Sequence, residues 1–157
     1  MKSIHFKSEN QTWETPQDFF DHVNYLFNFT LDACASADNH KVSAYFSEED
    51  DALIQNWHGV VWCNPPYGRH QVDFIKKAYD QYIKNGSTVV CLIPARPDTK
   101  LWQDLIFPHA DQICFIRGRL KFGDSKDAAP FPSALVVFGN KKDLSSFGKC
   151  FGSDNHA

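Results

Sequence analysis

Val60-Val61-Trp62-Cys63 runs without a break into Asn64-Pro65-Pro66-Tyr67-Gly68, and the architecture of the chain turns on that stretch. Four apolar residues suit a short buried strand. Two consecutive prolines supply no backbone N–H, so the strand has to end there. Val72, Ile75, Ala78, Tyr79 and Tyr82 then keep helical spacing until Asn85-Gly86, and Thr88-Val89-Val90-Cys91-Leu92-Ile93 is a second buried run stopped by Pro94. Strand, helix, strand is a βαβ unit, which implies parallel pairing and a right-handed crossover.

Working outward, residues 16–27 place Phe19, Phe20, Val23 and Leu26 on one helical face, with Thr15 as N-cap and Pro16 at the first position. Phe29-Thr30-Leu31-Asp32-Ala33-Cys34 reads as a strand. Residues 36–56 are polar and acidic and read as a long connection with one helical turn between Asp51 and Gln55. Downstream, Leu101 to Phe107 suggests a helix, Gln112 to Arg117 a third core strand and Ala134 to Phe138 a fourth. The polar excursion from Gly118 to Ser133 is too long for a tight hairpin turn, and loops of that length are often functional. Beyond Lys141 the chain is rich in Ser, Gly and Asp and reads as a peripheral tail. The sum is an α/β fold with a mostly parallel central sheet flanked by helices, a form that binds ligands beyond the carboxyl ends of its strands.

A length of 157 residues with 43% hydrophobic content suits one domain spanning residues 1–157, its core at about 13–140 and its tail at 141–157. No apolar run is long enough to cross a bilayer and the start lacks a signal peptide's apolar stretch, so the expectation is a cytoplasmic protein with no membrane partner. Five scattered cysteines form no C-x-x-C pair and the histidines no H-E-x-x-H, so neither a disulfide nor a metal is expected. With 16 Lys and Arg against 19 Asp and Glu, indiscriminate binding to a phosphate backbone is disfavoured. A local basic face remains open at Arg117-Gly118-Arg119-Leu120-Lys121, followed by Lys126; the alternative is a solvated turn.

Chemistry concentrates at Asn64-Pro65-Pro66-Tyr67, at the carboxyl end of a strand. An aromatic amine such as N6 of adenine is a poor nucleophile because its lone pair is delocalised into the ring. Accepting hydrogen bonds from both its N–H groups, through the Asn64 side-chain oxygen and a backbone carbonyl held by the prolines, helps it become tetrahedral. Tyr67 offers a ring face for an extruded base, and Gly68 leaves space beside it. The bland alternative is an ordinary turn.

The chain resembles the phage-type DNA N6-adenine methyltransferases, amino-methyltransferases with a D/N/S-P-P-Y/F motif. The resemblance covers residues 13–138 and rests on Trp13-Glu14-Thr15-Pro16, Leu31-Asp32-Ala33-Cys34-Ala35, Trp62-Cys63-Asn64-Pro65-Pro66-Tyr67-Gly68, Ile93-Pro94-Ala95-Arg96-Pro97-Asp98-Thr99, Arg117-Gly118-Arg119-Leu120-Lys121-Phe122 and Ala129-Pro130-Phe131-Pro132-Ser133.

It implies an abbreviated, Rossmann-like methyltransferase fold, S-adenosylmethionine as methyl donor, and DNA as the partner of a site-specific adenine-N6 methyltransferase that protects phage DNA from restriction. Trp13, Thr15 and Pro16 would then contact the donor's methionine part beside Asp32, Ala33 and Cys34, with Trp13 equally suited to plain packing. Asp32 interrupts an apolar strand where its carboxylate suits the donor's ammonium, or simply caps a turn. Asp51, preferred over Asp50, would accept from the donor's adenine. Arg96, Asp98 and Thr99 either clamp substrate or cap the next helix, and Arg117, Arg119 and Lys121 complete the candidate substrate contacts. Ala33-Cys34-Ala35-Ser36 has small residues but no glycine turn, and only about 30 residues separate Asp32 from Asn64, so two strands of the usual sheet must be abbreviated or missing and the donor pocket open. The same acceptor chemistry serves cytosine N4, RNA or glutamine side chains, and a non-catalytic nucleic-acid-binding domain is the rival from another class.

Overall fold

The computed structural model describes residues 14–122 and 128–152; Trp13 and Lys126 lie outside them. In chain order the elements are α1 (Gln17–Phe27), β1 (Leu31–Asp32), a 3-10 turn at Ala52–Ile54, β2 (Val60–Cys63), α2 (His70–Asn85) and β3 (Thr88–Pro94). They continue with a helix, here α3, that is wound as a π-helix over Leu101–Ile106 and as an α turn over Phe107–His109, then β4 (Gln112–Ile116), β5 (Ser133–Phe138) and β6 (Gly148–Gly152).

One six-stranded sheet runs in the order β1-β2-β3-β5-β4-β6. The βαβ unit is present: β2 and β3 pair in parallel, with Cys63 level with Cys91. β1 adds a parallel edge, Leu31 against Val61. From β3 onward every pairing is antiparallel. Strands β1 to β4 therefore share one direction, and β5 and β6 oppose it. β4 and β5 are hydrogen-bonded neighbours, so the long 117–132 connection joins the two arms of a wide hairpin.

Two apolar layers close on the sheet. On one face Cys63, Cys91, Ile93 and Val136 meet Phe74, Ile75 and Ala78 of α2 and Trp102 and Ile106 of α3. On the other Trp62, Leu92, Leu135 and Val137 meet Phe20, Val23 and Phe27 of α1. This alternation follows from the two-residue period of strands against the three- and four-residue period of helices. Trp57, fully buried, holds the long connection down: its Nε1 donates to Ala52 O (2.9 Å) and its backbone N–H to Gln81 Oε1 of α2 (2.7 Å).

Two sequence expectations change. Pro16, not Thr15, occupies the N-cap of α1, and no side chain caps that helix; the Thr15 hydroxyl is committed elsewhere. The segment beyond Lys141 is not a loose appendage: Leu144 is fully buried and Gly148–Gly152 pairs with β4 as an edge strand.

Candidate active site

Because β1 to β4 share a direction, their carboxyl ends open onto one edge of the sheet. Asn64 leaves β2 there. Its Nδ2 donates to Thr15 Oγ1 over 2.9 Å, a bond between residues 49 positions apart. Thr15 is only 3% exposed, so this bond is shielded from water and orients the amide, with Nδ2 toward Thr15 and Oδ1 away from it. The turn out of the strip is made by Gly68 at φ 96, a left-handed conformation that glycine adopts without strain.

A cleft of about 510 Å³ lies against the strip, lined by Thr15, Asp32, Ala33, Cys34, Asp51, Asn64, Pro65 and Pro66. Residues scattered over fifty positions of sequence are thus brought together. Phe46, Glu48, Leu53 and Phe74 also line it. No sequence signal singled them out: three come from the polar connection, whose path local pattern does not define, and Phe74 is one apolar helix residue among several. Pro16, Tyr67, Arg96, Asp98, Arg117, Arg119 and Lys121 are not part of this lining.

Asp32 is 3% exposed and organises the cleft's outer wall. Its carboxylate accepts from the backbone N–H groups of Cys34 (3.2 Å) and Lys41 (2.9 Å). Its backbone bonds both ways with the following loop, N–H to Ala44 O and C=O from Phe46 N–H, so Tyr45 bridges in parallel along the outer side of β1. That single bridge stands where a longer sheet would have another strand. Burial raises the Asp32 pKa to about 6, against those two backbone hydrogen bonds and the nearby Lys41 charge, which lower it. Asp32 therefore caps its turn, one of the two readings the sequence left open, and it also lines the cleft. Asp51 caps the 3-10 turn by accepting from Leu53 N–H and faces the cleft, whereas Asp50 is engaged by Ser47.

From Cys34 in the cleft wall a row of thiols runs inward. Cys34 Sγ is 3.8 Å from Cys63 Sγ, and Cys63 pairs in register with Cys91. Burial pushes the Cys34 and Cys63 thiols up, and Cys91 is raised by its contact with Cys63 and then by burial. They are held protonated and act as small apolar packing groups.

Tyr67 departs from the open stacking surface expected of it. It is only 8% exposed, with its ring meeting Phe131 edge-on at 5.2 Å. Burial pushes its phenol upward, while Arg96 acts in the opposite sense. Arg96 and Asp98 are exposed past the end of β3. Thr99 donates to Arg96 O (2.8 Å) and accepts from Trp102 N–H, which is helix capping. Arg117, Arg119 and Lys121 follow β4 on the same rim, all exposed, and Arg119 Nη1 donates to Ala129 O across the loop (3.3 Å).

Comparison with known proteins bears on this arrangement. The family model described as DNA N-6-adenine-methyltransferase (Dam) matches residues 2–148. The chain is 32% identical over 161 aligned positions to the DNA N-6-adenine-methyltransferase of Haemophilus phage HP1 (strain HP1c1), covering 97% of this chain and 92% of that one. It is 31% identical over 111 positions to the DNA N-6-adenine-methyltransferase of Escherichia phage T1, covering 69% of this chain and 45% of that longer protein.

Proposed function

The chain belongs to the DNA N-6-adenine-methyltransferase (Dam) family, and we propose that it methylates N6 of adenine in DNA at the Asn64-Pro65-Pro66-Tyr67 strip, with S-adenosylmethionine as donor. The observation that carries the assignment of the site is the Thr15–Asn64 hydrogen bond, which holds the amide in the wall of a cleft shared with Asp32.

The residues present suit the donor. The cleft falls within the range of roughly 300–1,000 Å³ usual for small-molecule sites, and its lining mixes carboxylates with apolar Phe46, Leu53 and Phe74. Asp32, a buried carboxylate in the cleft wall, suits an ammonium group; Asp51 and Glu48, farther along, suit the donor's polar edges. Small Ala33 and Cys34 leave space that a conventional glycine turn provides elsewhere. When bound, S-adenosylmethionine supplies a methyl group on a sulfonium centre, reactive enough that no covalent enzyme intermediate is required.

The protein's part is then to present the amine. Asn64 Oδ1 and the Pro65 carbonyl accept hydrogen bonds from the two N6–H groups as the nitrogen loses its conjugation with the ring, and one N6 proton leaves to solvent once the methyl is in place. Rigid Pro65 and Pro66, and the Thr15 bond, keep those acceptors in place before substrate arrives. Adenine leaves the duplex and stacks at Tyr67 once the Phe131 ring swings aside. Arg96, Arg117, Arg119 and Lys121 hold the phosphates along the rim, with Asp98 beside them at the end of β3, and one domain carries all of these parts. The test is incubation of the protein with unmethylated DNA and labelled S-adenosylmethionine, then nucleoside mass analysis, with Asn64→Ala alongside. N6-methyladenine from the wild type alone is the expected result; methylcytosine would move the substrate assignment.

A further inference from the structure

Ser133 opens β5 as the partner of Pro94. It is 2% exposed, and its Oγ has no hydrogen-bond partner among the described residues. A buried hydroxyl in that condition costs stability, and native structures rarely tolerate one without a use for it. Nothing in the transfer mechanism above employs it.

Its surroundings point to the substrate. By strand alternation Ser133 shares a sheet face with Leu135, and Leu135 lies in one apolar cluster with Tyr67 and Phe131. Ala95 N–H donates to Pro132 O at 2.8 Å, which brings the Pro94-Ala95-Arg96 end of β3 alongside. Phe131, two residues before Ser133, sets its ring edge on Tyr67.

We propose that Ser133 is a base-reading residue whose hydroxyl donates to a ring nitrogen of the extruded adenine. The proposal rests on the adenine-transfer reading and names a specificity contact within it. A base stacked at Tyr67 takes the place of the Phe131 ring, whose residue lies two positions before Ser133. The chemistry is complementary. Asn64 Oδ1 and the Pro65 carbonyl are acceptors that recognise an amine, and in adenine that amine is flanked by ring nitrogens that accept. A donor beside two acceptors matches adenine and opposes guanine, whose corresponding edge carries an oxygen acceptor where adenine has its amine.

Ser133→Ala and Ser133→Cys, compared with the wild type, separate this role from a structural one. Methyl transfer is followed as N6-methyladenine formed, with KM determined for DNA and for the donor, and Tm is measured on the protein alone. For Ser133→Ala the KM for DNA should rise roughly 2- to 12-fold, the loss of one net hydrogen bond. Its KM for the donor should stay unchanged, and its Tm should hold or rise because an unpartnered hydroxyl has been removed. Ser133→Cys, close in size and a weak donor, should fall between. An unchanged KM for DNA, or a KM rise accompanied by a lowered Tm in both variants, would overturn the assignment. A wild type that forms no N6-methyladenine would instead overturn the transfer reading, and the assignment with it.

Discussion

Replacing Thr15 by Val removes the acceptor of the Asn64 amide while keeping the side chain's shape. Thr15 is 3% exposed and receives Asn64 Nδ2 at 2.9 Å, so water does not readily substitute for the lost hydroxyl. A shielded donor left without its acceptor costs about 1 kcal/mol at the low end of the usual range. In a domain of this size that corresponds to a Tm lowered by roughly 2–4 °C. The catalytic effect follows from orientation. If one net hydrogen bond of about 0.5–1.5 kcal/mol fixes the amide, its loss lets the side chain rotate and kcat should fall roughly 2- to 12-fold. Thr15 also lines the cleft, and steady-state kinetics distinguish the two roles. An orienting residue lowers kcat at constant KM for S-adenosylmethionine, whereas a donor contact raises that KM at constant kcat. Thr15→Ser, which retains the hydroxyl, should restore kcat. A Thr15→Val enzyme with wild-type kcat would refute the view that this bond sets the amide's orientation.

Asn64→Ala should lower kcat on the order of 10²-fold, the loss typical when a group that stabilises the transition state is removed, with Tm lowered by roughly 2–4 °C in calorimetry because the buried Thr15 hydroxyl loses its partner. Asp32 makes the donor's affinity pH-dependent: with its pKa raised to about 6, the carboxylate is ionised above that pH and protonated below it. Calorimetric Kd for S-adenosylmethionine should therefore weaken as pH falls through 6, approaching about tenfold per unit. The sign for the protein alone is opposite. Its folded pKa lies above the ordinary carboxylate value of 3.8, so the Asp32 contribution to stability is greatest in acid and is lost as pH rises from about 4 to about 6. Alanine at Arg117, Arg119 or Lys121 should raise KM for DNA without changing donor affinity, and each lost phosphate contact should lower the slope of log affinity against log salt by about 0.9.

The strand–Asn-Pro-Pro-Tyr–helix–strand core was legible because each part is dictated locally. Apolar runs of Val60–Cys63 and Thr88–Ile93, prolines that cannot donate, and Gly86 as a left-handed helix end act within a few residues of themselves. β6 was not legible: Gly148-Lys149-Cys150-Phe151-Gly152 is an edge strand with two of its five residues exposed and none buried, and it lacks the apolar pattern that marks a core strand. Direction was equally hidden in β5, since Ser133–Phe138 is buried throughout, and an all-apolar strand reads alike in either orientation.

Local sequence, then, determined most of the strands and helices and where the strip of acceptors sits, whereas the parallel pairing that sets Asp32 beside the Asn64 strand came from the fold. Tertiary structure decided which side chains meet. Thr15 abandons its helix for Asn64, Asp32 is buried by a loop that bridges at Tyr45, and Phe131 covers Tyr67. Periodicity and chain breakers report forces that act over a few residues. Burial, pKa and hydrogen-bond partnership at this site depend instead on groups tens of positions apart, and they exist only once the sheet has brought those groups together.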